Sequence, residues 1–203
     1  MSHLDLMRTM QRAFFRAELP LRYSEGFNPH PRISVVLPLS LGAESLCELL
    51  DFQLVDMDWT PECAARLNAV LPEGIRALEA YEATRKITEL RWLNVTGRLC
   101  YRDEQGADTA RAVSSFFGAE RVPVTRKTKR GIEETDIAPA IRSAEFSGSG
   151  NVISMSAVVS AQEPSLNFRL IGDALRQHAP EIAPGYARFT RIETLDAGFE
   201  PFR

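Results

Sequence analysis

A chain of 203 residues with 44% hydrophobic and 25% charged residues has the make-up of a folded globular protein. It is long enough for one large core or two small ones, and it excludes disorder and collagen-like repeats. A net charge of −3 argues against a protein that coats nucleic acid non-specifically, because such domains carry a large positive excess, so any nucleic-acid contact must come from local patches.

In chain order, Ser2 caps a helix whose apolar Leu4, Leu6, Met7, Met10 and Phe14 recur at helical spacing until Pro20 stops it. Its polar face carries Asp5 and the arginines Arg8, Arg12 and Arg16 at i,i+4 steps. "LRYSEGFNPHPRISVVLPLSLG" reads as a short extended piece, a loop, a strand over 32–37 and a Pro/Gly turn ending at Gly42. "CELLDFQLV" has the apolar density of a buried strand. "TPECAARLNAVLPEG" is a helix with Thr60 as N-cap and Pro61 at its first position, and "IRALEAYEAT" alternates like a strand with one wet face. The second half begins with a strand, "LRWLNVTGRLCYR", and a helix, "DTARAVSSFFGA", for which Asp108 is the candidate cap. "RVPVTRKTKRG" follows as the start of a second strand and hairpin. After the Gly/Ser-rich "FSGSGN" come a third strand, "GNVISMSAVVS", a helix, "PSLNFRLIGDALRQHAP", and a last strand, "YARFTRIETL".

The second half therefore runs β-α-β-β-α-β, and the first half the same order without its first strand. The expected fold is α+β, a tandem pair of ferredoxin-like (βαββαβ) units spanning 1–86 and 87–203, with the boundary in "ATRKITEL". The first strand of such a sheet is central, so its absence would leave interior backbone groups unpaired.

The three cysteines, Cys47, Cys63 and Cys100, are odd in number, far apart and at no metal-ligand spacing. They read as core or boundary thiols in a reducing compartment, and no cofactor or metal is expected in this chain. No apolar run reaches the roughly 20 residues of a membrane span and no signal-peptide pattern opens the chain, so a cytoplasmic protein without membrane contact is expected. Walker, dinucleotide and G-x-S-x-G signatures are also missing.

The densest chemistry is "YSEGFNPHPR", residues 23–32. Each X-Pro step keeps its preceding residue out of the helical region, so Asn28 and His30 are expected on a stiff extended backbone, with Glu25 and Gly26 before them and Arg32 at the mouth of a strand. An imidazole, a guanidinium and a carboxylate on a preorganised loop suit anion binding or proton transfer, and equally a rigid turn that satisfies its own backbone. His3, at the start of the first helix, is either a second imidazole facing this loop or an exposed terminal residue. His178, in a last helical turn, reads as structural. "TRKTKRG" places Arg126, Lys127, Lys129 and Arg130 at a hairpin tip, either a phosphate-binding patch or a solvated turn.

On "SHLDLMR", "YSEGFNPHPRIS" and "PLSLGAES", in this order and spacing, and on the later "TRKTKRG…DI", the chain resembles the radical-SAM-linked protein family, a domain of unknown function fused to or encoded beside radical-SAM proteins. The resemblance runs over most of the chain, is weakest over its last 60 or so residues, and carries over no catalytic residue. It implies a segment before "SHLDLMR" that supplies the missing first strand, and hence a start assigned late. It also implies a radical-SAM protein as partner, which itself holds the iron–sulfur cluster and S-adenosylmethionine. Tandem ferredoxin-like folds with basic hairpins recur in RNA-processing proteins, which makes RNA the expected substrate by analogy of fold.

Three readings stay open. In the first, the protein is a non-catalytic RNA-binding accessory module, with Tyr23, Phe27, Asn28, His30, Arg32, Arg8 and Arg12 on the ligand and Arg126, Lys127, Lys129 and Arg130 on phosphates. In the second it is a metal-independent RNA-processing or RNA-modifying enzyme, with His30 as acid or base, Glu25 orienting it and Arg32 stabilising developing charge. In the third it is a protein-protein adaptor for the radical-SAM partner.

Overall fold

Ser2 stands in extended backbone and its Oγ accepts the Asp5 N–H at 3.2 Å, which starts helix α1 (His3–Arg16). The Ser2 hydroxyl also donates to the Asp5 carboxylate at 2.6 Å and, with the weaker field of Arg8, holds that carboxyl below its ordinary range. The helix ends in a Schellman motif: Leu19 N–H donates to Phe14 C=O and Glu18 N–H to Phe15 C=O, with Glu18 left-handed at φ 55°.

The computed structural model is a mixed α+β protein with four α-helices and three sheets among the described residues, which are 1–56, 58–128 and 131–203. The chain divides into two units, Met1–Leu41 with Glu48–Ile87, and Gly42–Cys47 with Thr88–Arg203.

In the first unit, α1 buries Met10, Ala13 and Phe14, spaced three and four residues apart, against Leu19, Cys63 and Leu67. The Phe14 ring lies 4.9 Å from that of Phe52. Strand β1 (Ile33–Val35) runs antiparallel to β3 (Leu50–Phe52), pairing Ile33 with Phe52 and Val35 with Leu50. Among the described residues no strand pairs with the far edge of β3. Helix α2 (Glu62–Asn68) begins after Thr60, which contributes its C=O to the Cys63 N–H at 2.9 Å rather than acting as the expected side-chain cap. The strand expected over 75–84 does not form. The Asn68 amide stands in for a neighbouring strand at Ala77, accepting its N–H and donating to its C=O, both at 2.8 Å. Ile75, Ala77 and Ala80 still pack on the core, so the apolar positions report a one-sided segment rather than a ladder.

In the second unit a five-stranded sheet has the order β2-β9-β4-β8-β7. Its members are β2 (Ala43–Ser45), β4 (Leu90–Cys100), β7 (Ile141–Ser149), β8 (Val152–Ser160) and β9 (Tyr186–Asp196). The strand β2 lies within a stretch read as part of the first half. It pairs parallel to β9, Glu44 beside Thr190. Helices α3 (Ala107–Phe117) and α4 (Arg169–His178) contribute buried Val113, Phe117, Ile171 and Leu175 to a core with Val95, Leu99, Ile153, Met155 and Phe189. Gly97 makes room there: a Cβ would stand 3.0 Å from the Phe189 ring and 3.1 Å from Met155 Cε.

Two expectations for this half change. The basic segment is not the second strand of the sheet but half of a separate ribbon, β5 (Pro123–Thr128) with β6 (Gly131–Asp136). Gln177 of α4 holds it, accepting the Thr125 N–H at 2.8 Å and donating to the Thr125 C=O at 2.9 Å. The strand beside β8 is β7, in the Gly/Ser-rich stretch taken as a boundary. A register irregularity between Ile141 and Ser143 breaks its alternation, and Gly148 is required where a Cβ would come 3.3 Å from the Gly106 C=O. Asp108 does not cap α3; Gly106 holds the cap position and Asp108 pairs with Arg111.

All three cysteines are buried free thiols. Among the described residues no helix is long and apolar enough to cross a membrane.

Candidate functional site

The segment 23–31 is an excursion from a single strand. Leu21 bridges Leu54 antiparallel, with the Val55 N–H donating to the Pro20 C=O at 2.9 Å and the Arg22 N–H to the Gln53 C=O at 2.7 Å. The chain then leaves this edge for nine residues and rejoins it at Arg32, where the Gln53 N–H donates to the Arg32 C=O at 3.0 Å and, further on, the Val36 N–H to the Leu49 C=O at 3.0 Å. Residues 20–22 and 32–36 thus line one edge of 49–55, and everything between them projects from it.

The excursion is closed on itself like a hairpin. The Arg32 N–H donates to the Arg22 C=O at 2.7 Å, Tyr23 bridges Pro31, the Ser24 N–H donates to the His30 C=O at 2.8 Å, and the His30 N–H donates to Ser24 Oγ at 3.0 Å. Proline at 29 and 31 supplies no N–H, so the loop needs few partners, and Gly26 takes φ 118°, which a side chain disfavours. These bonds close the base of the loop, and its tip, residues 25–28, is exposed to solvent. Tyr23 is 56% exposed and Phe27 fully so, and Glu25, Asn28, His30 and Arg32 are exposed.

Arg32 is fixed by Gln53, its Nη1 donating to Oε1 at 3.3 Å. Among the described residues no hydrogen bond joins Glu25 to His30, so the carboxylate does not orient the imidazole in this state of the loop. The structure brings Tyr23, Phe27, Asn28, His30 and Arg32 together on one projection within ten residues. Ser24 and Gln53, which hold it, were not singled out in the sequence. Ser24 carries a weak local signal as a hydroxyl opening a turn, whereas nothing near Gln53 announces a partner 21 residues earlier in the chain.

The other candidates lie elsewhere. On α1, Arg8 is 3.9 Å from Asp5, Arg16 donates to the Val70 C=O at 3.0 Å, and Arg12 is exposed with no partner among the described residues. His3 is exposed at the start of α1 and His178 at the end of α4. On the ribbon, Arg126 faces Glu133 across the strands at 3.4 Å, which offsets its charge, and Lys127 is exposed. Lys129 and Arg130 lie outside the described residues. No group of three or more His, Cys, Asp and Glu suited to hold a metal ion occurs among the described residues.

The family model described as "Uncharacterized protein conserved in bacteria (DUF2344)" matches residues 1–167, and the chain belongs to this family. No curated protein matches it.

Proposed function

We propose that this member of the DUF2344 family is a non-catalytic RNA-binding accessory module that acts with a radical-SAM enzyme, and that the projection 23–32 is its ligand contact. The observation that carries this reading is the combination of a loop closed at its base by several bonds with two exposed aromatic rings, Tyr23 and Phe27, beside His30 and Arg32. Single-stranded RNA is held by aromatic faces that stack bases and cations that meet phosphates, and a stiff loop lowers the ordering cost of that contact. Arg12 and Lys127 add unpaired positive charge outside the loop.

The finer fold assignment belongs to the same proposal. In the second unit the strands β9-β4-β8-β7, taken in chain order as fourth, first, third and second, with one helix after the first and one before the last, fit a ferredoxin-like unit. The first unit is read as the same plan over 1–86 without its first strand, with which the unpaired far edge of β3 agrees, and with an unladdered segment where its last strand is expected.

The adaptor reading is supported by one feature, the complete exposure of Phe27, since an apolar ring at a loop tip suits a protein pocket as well as a base. The enzyme reading lacks an oriented His30–Glu25 pair in this geometry. One experiment separates the three. The purified protein is incubated with cellular RNA, and complex formation and RNA integrity are read on the same gel. Retarded, intact RNA is the expected result. Cleaved or altered RNA would replace the module by an enzyme. Absence of any complex, with nuclease-resistant co-purification of the radical-SAM protein, would leave the adaptor.

A further inference from the structure

The second unit carries an open sheet face that none of the candidate residues occupies. Its helices cover one side, where Val95, Leu99, Met155 and Phe189 are buried. On the opposite side successive register pairs bring together Cys100 with Tyr186, Arg98 with Arg188, and Thr96 with Thr190 across β4 and β9. Ser154 and Ser156 of β8 stand beside Arg98 and Thr96. Arg98, Arg188, Ser154, Ser156 and Thr96 are exposed, and Tyr186 is 57% exposed.

The arginine pair is the informative feature. Two like charges directly opposite on neighbouring strands have Cβ atoms about 5 Å apart and destabilise the sheet they sit on. Neither Arg98 nor Arg188 makes an ion pair or hydrogen bond with another side chain among the described residues; Arg188 lies with its guanidinium carbon 6.0 Å from the Tyr186 ring centroid. Of the carboxylates on this face, Glu44 on β2 beside Thr190 and Glu145 on β7 beside Ser156 stand at its two borders, while Glu193 of β9, opposite Asn94, is engaged by Arg203. Tyr186 stands opposite Cys100 in the register, and its phenol, like any tyrosine's, is neutral at pH 7. Two cations converging beside a neutral aromatic ring, in a field of hydroxyls, match one phosphate and one neighbouring base.

We propose that this sheet face is a second platform for single-stranded RNA, on which Arg98 and Arg188 hold a backbone phosphate and Tyr186 stacks a base. Ser154, Ser156 and Thr96 offer hydroxyls to sugar or base edges alongside. The proposal takes its ligand class from the reading above but shares no residue with the loop, so the two can fail separately.

The test uses the full chain and a fluorescein-labelled single-stranded oligouridine, with affinity read by anisotropy at about 50 and about 200 mM salt. The variants are Arg98→Gln/Arg188→Gln, Tyr186→Leu and, on the loop, Phe27→Ser/His30→Ala. The double glutamine variant keeps a polar side chain with the same first three carbons and removes the repulsion, so its melting temperature should be equal to or above that of the parent. Its Kd at the lower salt should rise at least about tenfold, with the slope of log Kd against log salt falling by about 1–2. Tyr186→Leu should weaken binding about fivefold or more through lost stacking. Parental affinity in the double variant, with loss in the loop variant, overturns the platform and leaves the loop. The reverse pattern supports the platform and removes the loop. Failure of the parent chain to bind the oligonucleotide overturns the platform as an RNA site.

Discussion

Gln53 holds Arg32 and its strand by three bonds at once: its C=O accepts the Arg22 N–H, its N–H donates to the Arg32 C=O, and its side-chain oxygen accepts the Arg32 guanidinium at 3.3 Å. The one residue therefore closes the base of the projection and aims its cation. Gln53→Ala keeps the backbone bonds and frees the guanidinium. The expected result is a stability loss of about 0.5–1 kcal/mol by urea denaturation, the ordinary range for an exposed charge-assisted bond. RNA affinity should fall a few-fold, because Arg32 must then be ordered on binding.

The loop's stiffness rests on one glycine. Gly26 sits at φ 118° with open space around its Cα, so Gly26→Ala tests backbone strain alone, without a clash. A loss of about 1–3 kcal/mol is expected, with the thermal transition still cooperative. An unchanged midpoint would mean that the loop relaxes freely and is not preorganised.

Helix α1 carries the opposite case. Glu18 occupies the left-handed C′ position of a Schellman motif at φ 55°, where glycine fits without penalty. Its C=O still accepts Arg66 Nη2 at 2.7 Å whatever the side chain. Glu18→Gly should stabilise the first unit by about 0.5–1 kcal/mol, seen as a higher urea midpoint.

In the second unit Gly97 lets the Phe189 ring lie across β4. Gly97→Ala pushes a methyl into that ring and into Met155, and a loss of about 1–3 kcal/mol is expected from overpacking. Gly97→Ala with Phe189→Leu should recover part of it, because the smaller side chain vacates the contact.

Acid sensitivity has a defined source at Glu193. Its carboxylate accepts two bonds from Arg203, at 2.6 and 2.9 Å, which hold its pKa below the ordinary value of 4.5. A depressed carboxylate pKa stabilises the fold above the unfolded value, and that contribution is lost as pH falls through the folded value. The stability of the parent should therefore drop below about pH 4.5 more steeply than that of Arg203→Ala, and a difference of about 0.5–1 kcal/mol at neutral pH should vanish in acid.

Much of this was legible along the chain, and the limits have physical causes. Helix α1 and strands β4 and β9 carry strong periodicity and, at α1, a side-chain cap, so local pattern and structure agree. The strand β7 was hidden because its register irregularity and glycine obscure the period that marks a strand. Residues 75–84 carry the apolar alternation of a strand but form none, since pairing is decided by partners distant in sequence. The same side-chain device recurs in both units: Asn68 at Ala77 and Gln177 at Thr125 each give one backbone residue the two bonds a strand would supply. No local pattern announces such a pairing. For the site, the motif 23–32 announced a stiff, chemically dense loop. That it is an excursion from one strand became visible only through Gln53.

The central claim is that the projection 23–32 binds RNA. The most direct measurement is the affinity of the full chain for single-stranded RNA as a function of salt, beside a Phe27→Ser/His30→Ala/Arg32→Ala variant. The account predicts binding that weakens with salt along a slope of about −0.7 per phosphate met, and a variant with affinity reduced at least about tenfold and a shallower slope. Equal affinities and equal slopes for the two proteins would contradict it.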